Sequence, residues 1–321
     1  MLGCARRQVN ESASRAYAAE IVPADTPAKG ESFAGGGEMG AQWCPAALLR
    51  FSEIRLRLLE IHDQAWFPEF LRAEVVDALQ MVLETTNAYR PIAPRLANAI
   101  RRAGTHEVLD LFSGAGGPWP SLIGALDRPG GEMPVEVLLT DKYPSPSAAN
   151  GNGAGTRAAH LEFCRDSVDA TAIPARLAGF RTIFSSFHHF TNAEALGFLR
   201  DSAEKRRGVG VFEVASRHVL TMLVICFIPV LAWIATPFRR PFRWSRLLWT
   251  YVLPVVPFVL FFDGLVSCLR TYSLSDLRAM TNGLGGRDYH WEIGEEKGGR
   301  IPFCVVYLVG YPTAPRAEPA D

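Results

Sequence analysis

The sequence predicts an α/β fold: a doubly wound, mostly parallel sheet, preceded by helices and closed by an antiparallel hairpin. Three observations carry this. From residue 104 onwards, short apolar runs alternate with helical stretches, the pattern of parallel strands joined by crossover helices. The first run, Val108-Leu109-Asp110-Leu111-Phe112, passes directly into a small-residue loop, Ser113-Gly114-Ala115-Gly116-Gly117, and then into a helix. Near the end, two apolar runs flank Glu295-Glu296-Lys297-Gly298-Gly299-Arg300, which reads as a hairpin turn.

Taken in chain order, residues 1–45 are rich in Ala, Gly, Ser and Glu without helical or strand period, and read as a disordered tail. They carry arginines but no apolar core segment, so no secretory signal is expected. Residues 46–103 read as an N-terminal helical cap. Leu71, Val75, Leu79 and Val82 recur at spacings of three and four and make one stripe, which Asn87 and Pro91 interrupt before a short helix over 92–103. Strands follow at 108–112, 135–140, 160–164, 181–186 and 209–214. Helices start at Pro118, where proline is tolerated in the first turn, and span 193–206. A Pro/Ser/Gly/Asn-rich loop fills 144–156, a helix is expected near 273–280, the closing strands at 289–294 and 302–309, and a short tail at 313–321. No internal repeat is present.

Composition narrows the function. Lys+Arg and Asp+Glu both total 33, so the formal net charge is zero, and phosphate binding wants a basic excess. No nucleic-acid partner is expected. The six cysteines are scattered without a CxxC pair, which argues against zinc and fits a reducing, cytoplasmic compartment. The His/Asp/Glu spacing is not diagnostic, so no metal site is assigned.

The strand, glycine loop and helix form an anion- or nucleotide-binding turn, in which glycine lets backbone approach a ligand and the helix N-terminus offers free N–H groups. Asp110 inside that turn would repel phosphate and would favour a cationic ligand. With these residues the sequence resembles the class I S-adenosylmethionine (SAM)-dependent methyltransferases, whose first motif is an acidic residue followed by small residues and glycines. Gly114 and Gly116 match the last two glycines, and Phe112 stands where the first usually sits. Asp141, in Leu138-Leu139-Thr140-Asp141, matches the acidic residue that holds the ribose hydroxyls, with an extra loop at 127–134 accounting for its longer distance from Asp110. Asp169-Ala170, followed by Ile173-Pro174, resembles the motif near the adenine amine. Ser185-Ser186-Phe187-His188-His189-Phe190 resembles the fourth-strand motif. The resemblance covers residues 104–312. It implies a seven-stranded methyltransferase sheet, S-adenosyl-L-methionine as cofactor, and a cofactor site of Asp110, Ser113, Gly114, Gly116, Asp141, Asp169 and Ala170. From the residues alone, the glycines also suit a tight turn, Asp141 a helix N-cap and Asp169 a turn.

Methyl transfer from a sulfonium is an in-line displacement in which the protein chiefly positions and desolvates; some acceptors also need a base. His188 and His189, at the end of a strand, have the ordinary pKa range for that role. Glu213, ending the fifth strand on the same rim, is a further candidate.

An uncharged run at 219–238, broken by Pro229 and Pro237, is followed by Arg239, Arg240, Arg243 and Arg246, and then by a second run at 247–262 with Pro254 and Pro257. The first barely reaches the length of a bilayer span and the second is short. Arg206, Arg207, Arg217 and Arg270 flank the pair outside, so positive charge on both sides disfavours a two-span hairpin. A monotopic insertion, with the arginines and Trp233, Trp244 and Trp249 near headgroups, fits the pattern; a buried lid or dimer interface is the alternative. The insertion follows the fifth strand, beside the acceptor side of such folds, and suggests a hydrophobic small-molecule or lipid acceptor. A soluble biosynthetic methyltransferase and a membrane-attached module without catalysis stay open beside that reading.

Overall fold

Alternation between the two faces of each strand sets the layers. In the computed structural model, Val108 and Leu109 are both buried but join different cores, because successive strand side chains point to opposite faces. The described residues are 55–126, 134–144, 160–239, 242–302 and 304–313. The expected tail 1–45, almost all of the tail 313–321 and most of the loops at 127–134 and 144–156 lie outside them.

The seven strands are β1 (Glu107–Leu111), β2 (Glu136–Leu139), β3 (Leu161–Phe163), β4 (Phe180–Phe184), β5 (Val209–Glu213), β6 (Tyr289–Lys297) and β7 (Cys304–Pro312). Their order is β3-β2-β1-β4-β5-β7-β6. The first five pair in parallel, and β7 enters antiparallel between β5 and β6. This is the doubly wound, seven-stranded sheet with a closing antiparallel hairpin that the sequence leads one to expect. The hairpin is longer than expected: Glu295, Glu296 and Lys297 belong to β6 rather than to the turn, pairing with Val306, Val305 and Cys304.

Helices cover both faces. One face packs α2 (Ala93–Arg102) and α3 (Trp119–Leu126), through Leu96, Ile100, Trp119 and Leu122, onto Val108, Val137, Phe180 and Phe212. The other packs α4 (Asn192–Glu204) and the later helix at Leu274–Thr281, through Phe198, Leu199 and Leu277, onto Leu109, Leu111, Ile183 and Val211. Thr191 begins α4 with a reciprocal capping box to Glu194.

The N-terminal region departs from an all-helical cap. Residues 55–68 form an arm without helix, and α1 (Glu69–Thr86) begins only at Pro68, ending at Asn87 in a left-handed cap. The arm finds its hydrogen bonds on the insertion instead: Leu56 N–H donates to Leu269 O, and the Ile61 and His62 N–H groups donate to the Asp263 carboxylate at 2.7 and 3.0 Å. Within α1, Leu71, Val75 and Val82 are buried as expected, whereas Leu79 faces outward, since Ala78 and Met81 complete the buried face.

The insertion folds as short helices punctuated by its prolines: α5 (Val219–Ile225), α6 (Ile228–Ala235), α7 (Trp244–Leu247), a π-helical turn (Leu248–Val252), α8 (Val255–Arg270) and then α9 (Leu274–Thr281). The stretch Val219–Phe238 is the one described helical segment long and apolar enough to cross a membrane, and the pair Trp244–Val252 and Val255–Arg270 is bent by 68°. Ala232, Val256, Val259 and Leu260 pack on Phe67, Leu71, Val75 and Met81. Ion pairs reinforce that seam. Arg246 reaches Glu74 and Asp77, at 3.4 and 2.7 Å, and Arg239 reaches Glu84 at 2.9 Å. These two arginines therefore serve the protein and are not turned to headgroups as the sequence pattern suggests. Trp249 likewise packs on Phe70, whereas Trp233 and Trp244 stay exposed. Cys164, Cys226 and Cys268 are free thiols, while Cys304 is disulfide-bonded, which a uniformly reduced set does not anticipate.

Candidate active site

In this strand order the sheet reverses direction of winding between β1 and β4, and open α/β sheets bind ligands beyond the carboxyl ends of strands at that point. Two segments line it: the loop after β1 and the turn after β4.

The β1 loop is left-handed at Phe112 (φ 58°), Gly114 (φ 53°), Gly116 (φ 114°) and Gly117 (φ 53°). Glycine meets that demand without strain, and an L side chain does so at a cost of about 1–2 kcal/mol. Phe112 thus holds the left-handed backbone shape that suits glycine. Its ring leaves the loop to stack on His189, with centroids 6.1 Å apart, and to meet Phe190 edge-on at 5.5 Å.

Asp110 and Ser113 are turned into the sheet. Asp110 accepts from Thr182 Oγ1 at 2.6 Å and from Ser113 Oγ at 2.6 Å, and Ser113 Oγ also accepts from Thr140 N–H at 3.0 Å. Burial pushes the Asp110 carboxyl up to about 6, against the hydroxyls of Ser113 and Thr182. Both side chains are engaged in holding the loop to the ends of β1, β2 and β4. That is a structural role, where the sequence places them against the cofactor.

Asp141 lies two residues beyond β2 and grips the loop. Its Oδ2 accepts from Gly114 N–H at 2.9 Å and its Oδ1 from Tyr143 N–H at 2.8 Å. Val168 N–H donates to Asp141 O, which brings Asp169 and Ala170 alongside. Asp169 closes a turn, accepting from Thr171 N–H and Oγ1, and pairs with Lys142 at 2.9 Å. The Thr171 hydroxyl and Lys142 hold its carboxyl down to about 2. Ala170 is buried in the second core. From above the loop, α1 donates Gln80 Nε2 to Gly117 O at 2.8 Å and sets Val76 against Gly114.

On the β4 side, Ser185 is also left-handed (φ 47°), and Tyr89 OH bonds its hydroxyl. Non-glycine residues in that region mark functional sites often enough to be informative. The turn Phe187–His189 is anchored by Glu213: Oε1 accepts from Phe187 N–H and His188 N–H at 2.7 and 3.2 Å, and Oε2 meets His188 Nδ1 at 3.0 Å. His188 is 2% exposed. Burial alone would lower its pKa, but Glu213 and Glu60 outweigh burial and push it up to about 10. Glu213 and His188 are therefore a locked pair and not a free base. His189 is the accessible member of the three, with Nδ1 2.8 Å from Asp63 Oδ2.

The arm contributes what the sequence reading omits. Glu60 faces His188 Nε2 at 3.4 Å, His189 Nε2 at 3.8 Å and Arg270 Nη1 at 3.3 Å. Burial raises the Glu60 carboxyl, but His189 and His188 outweigh it and bring it down to about 2. Asp63 is likewise held well below the usual range, with His189 overriding its burial. His62 pairs with Asp263 at 2.7 Å. Arg55 donates to His188 O and Phe190 O and lies over the Tyr272 ring, fastening the arm to the β4 turn. The only sequence signal for this cluster is the density of Glu60, His62 and Asp63 within four residues.

No protein-family model matches the chain, and no curated protein matches it. Among solved structures, it is similar to an O-methyltransferase of neocarzinostatin biosynthesis crystallised with SAM and 2-hydroxy-5-methyl naphthoic acid. The identity is 15% and the TM-score 0.42, over 75% of this chain and 58% of that one. It is also similar to human N-acetylserotonin methyltransferase in complex with SAM (11%, TM-score 0.40, 74% and 55%). A third is a SAM-dependent methyltransferase from Aquifex aeolicus (14%, TM-score 0.39, 74% and 97%). The chain thus spans a little over half the length of the first two.

Proposed function

We propose that this chain is a methyltransferase that uses S-adenosyl-L-methionine to methylate a hydrophobic small-molecule or lipid acceptor at a membrane surface, on the cytoplasmic side. The observation that carries the reading is the meeting of two segments at the β1/β4 reversal, where the Phe112 and His189 rings stack. A left-handed glycine loop tied to Asp141 forms one wall, and a histidine–carboxylate cluster forms the other.

The residues present fit the cofactor. Gly114 and Gly116 offer bare backbone, with no close neighbour where a Cβ would stand nearer than 3.4 Å. Each Asp141 oxygen accepts one hydrogen bond, which leaves lone pairs for ribose hydroxyls. Asp169 and Ala170 sit next to Asp141 for the base. When bound, SAM supplies an activated methyl group; the chain's part is to align it, exclude water and handle the acceptor's proton at the histidine–carboxylate cluster.

Exposed apolar surface supports the acceptor and membrane part of the reading. Leu223, Phe227, Ile234, Phe238, Trp244 and Val252 all stand exposed along the insertion, Trp244 at 77%. Large contiguous apolar surface of this kind marks an interaction face. The ion-paired seam with α1 holds the insertion on the protein and turns its apolar side outward, the arrangement of a monotopic contact. The same seam also favours a second reading, a soluble enzyme whose insertion is a lid or dimer interface.

Calorimetric titration of the full chain with S-adenosylhomocysteine tests the cofactor. One saturable site is expected, and a folded sample that releases no binding heat would overturn the enzyme reading. Flotation with phosphatidylcholine/phosphatidylglycerol vesicles tests the surface. Phe227→Gln with Ile234→Gln should reduce vesicle binding at least tenfold; soluble protein that never floats selects the lid reading.

A further inference from the structure

His188 and His189 are adjacent on one tight turn, and a carboxylate holds the Nδ1 of each: Glu213 at 3.0 Å for His188, Asp63 at 2.8 Å for His189. Both Nε2 atoms then turn toward a single carboxylate, Glu60, at 3.4 Å from Oε1 and 3.8 Å from Oε2. One ligand atom from each of Glu60, His188 and His189 lies within 4.8 Å of the others. His188 Nε2 is buried and has no hydrogen-bond partner among the described residues. A buried ring nitrogen left so is unusual and calls for an explanation.

Histidines that ligate metals almost always give their second nitrogen to a carboxylate or carbonyl, which fixes the ring and raises its basicity. Here both do. Two imidazoles and one carboxylate are also the donor set suited to divalent first-row transition metals, where magnesium or calcium would want oxygen throughout.

We infer that Glu60, His188 and His189 bind a divalent first-row transition-metal ion, with Glu213 and Asp63 holding the ligating rings. Ligands about 2.1 Å from a common ion stand roughly 3.0–3.5 Å apart, close to the separations present. Arg270 remains a hydrogen-bond donor to the Glu60 carboxylate, as outer partners of ligating carboxylates do. The overlapping group Glu60, His62 and Asp63 is less suited, because Asp63 already serves His189 and His62 Nδ1 already serves Asp263. The ion would lie beside Phe112 at the β1/β4 reversal, where it could take an acceptor hydroxyl and lower its pKa. That use rests on the methyltransferase reading and points to a hydroxyl-bearing hydrophobic acceptor; binding of the ion does not rest on it.

The test strips the full chain with chelator and titrates Co²⁺, reading calorimetric stoichiometry and the visible ligand-field band. One equivalent is expected, displaced by Zn²⁺. Glu60→Gln and His189→Ala should each weaken binding at least tenfold, and Asp63→Asn by about tenfold. Thermal melts establish that each variant is folded. Should Glu60→Gln fail to fold, His189→Ala, whose ring is at the edge of the cluster, still decides the matter. No band and no heat in the wild type, or equal binding in all variants, overturns the site. Titration of the same samples with S-adenosylhomocysteine separates the two claims. Homocysteine-product binding without Co²⁺ defeats the metal site alone, and Co²⁺ binding without it defeats the methyltransferase reading alone.

Discussion

The two walls of the candidate site are built differently. The wall on the β1 side is local: Asp110, Ser113, Gly114 and Asp141 stand within about one strand–helix–strand unit, and their bonds run between neighbouring strand ends. The wall on the β4 side is assembled from afar. Glu60 and Asp63 come from the arm, His188 and His189 from the β4 turn, Glu213 from β5, and Arg270 and Asp263 from α8. A local wall is specified by spacing along the chain. A composite wall is specified by where four separate segments dock, and it disappears if any one of them leaves.

The largest expected effect lies on the composite wall. His188→Ala would leave Glu213 and Glu60 buried without their shared cation. Breaking a buried pair in this way costs about 3–5 kcal/mol. Urea denaturation should show that loss, with the unfolding midpoint shifted well below that of the wild type. A loss under about 1 kcal/mol would mean that the cluster is not a closed network, and the contrast between the two walls would fail.

On the local wall, Asp141→Ala should act on binding more than on stability. The side chain is partly exposed and accepts two backbone N–H groups that water can serve in its absence. Affinity for S-adenosylhomocysteine should fall by about 1–3 kcal/mol, the scale of a hydrogen bond to a charged group. Unchanged affinity, measured by calorimetry, would show that Asp141 only shapes the loop.

This division also explains what the sequence made legible. The alternation of strands and helices and the glycine turn follow from periodicity and small-residue spacing, which are local quantities, while the seven-stranded sheet and Asp141 came only with the family resemblance. The arm follows from neither, because residues 55–68 lack a helical or strand period and owe their shape to Asp263 and Leu269, some 200 positions away. The arginines of the insertion were legible as charge but not as partners of Glu74, Asp77 and Glu84; only docking decides which surface a long cationic side chain meets. Asp110 illustrates a finer limit. An acidic residue in the right motif position still had two hydroxyls, from Ser113 and Thr182, to satisfy first.

Phe112 joins the walls and gives the smallest, most discriminating test. Its backbone belongs to the glycine loop, at φ 58°, and its ring belongs to the β4-side wall, stacked on His189. Two substitutions separate these contributions. Phe112→Ala removes the ring and keeps the left-handed strain, whereas Phe112→Gly removes both. The glycine variant should therefore be the more stable of the two by about 1 kcal/mol, the reverse of the order glycine and alanine show where φ is negative. Both variants should bind S-adenosylhomocysteine with similar affinity if the loop keeps its shape. If alanine proves as stable as glycine, the loop has relaxed out of the left-handed region once the ring is gone. The stack on His189 would then be what imposes the loop's shape, and the local wall would depend on the composite one after all.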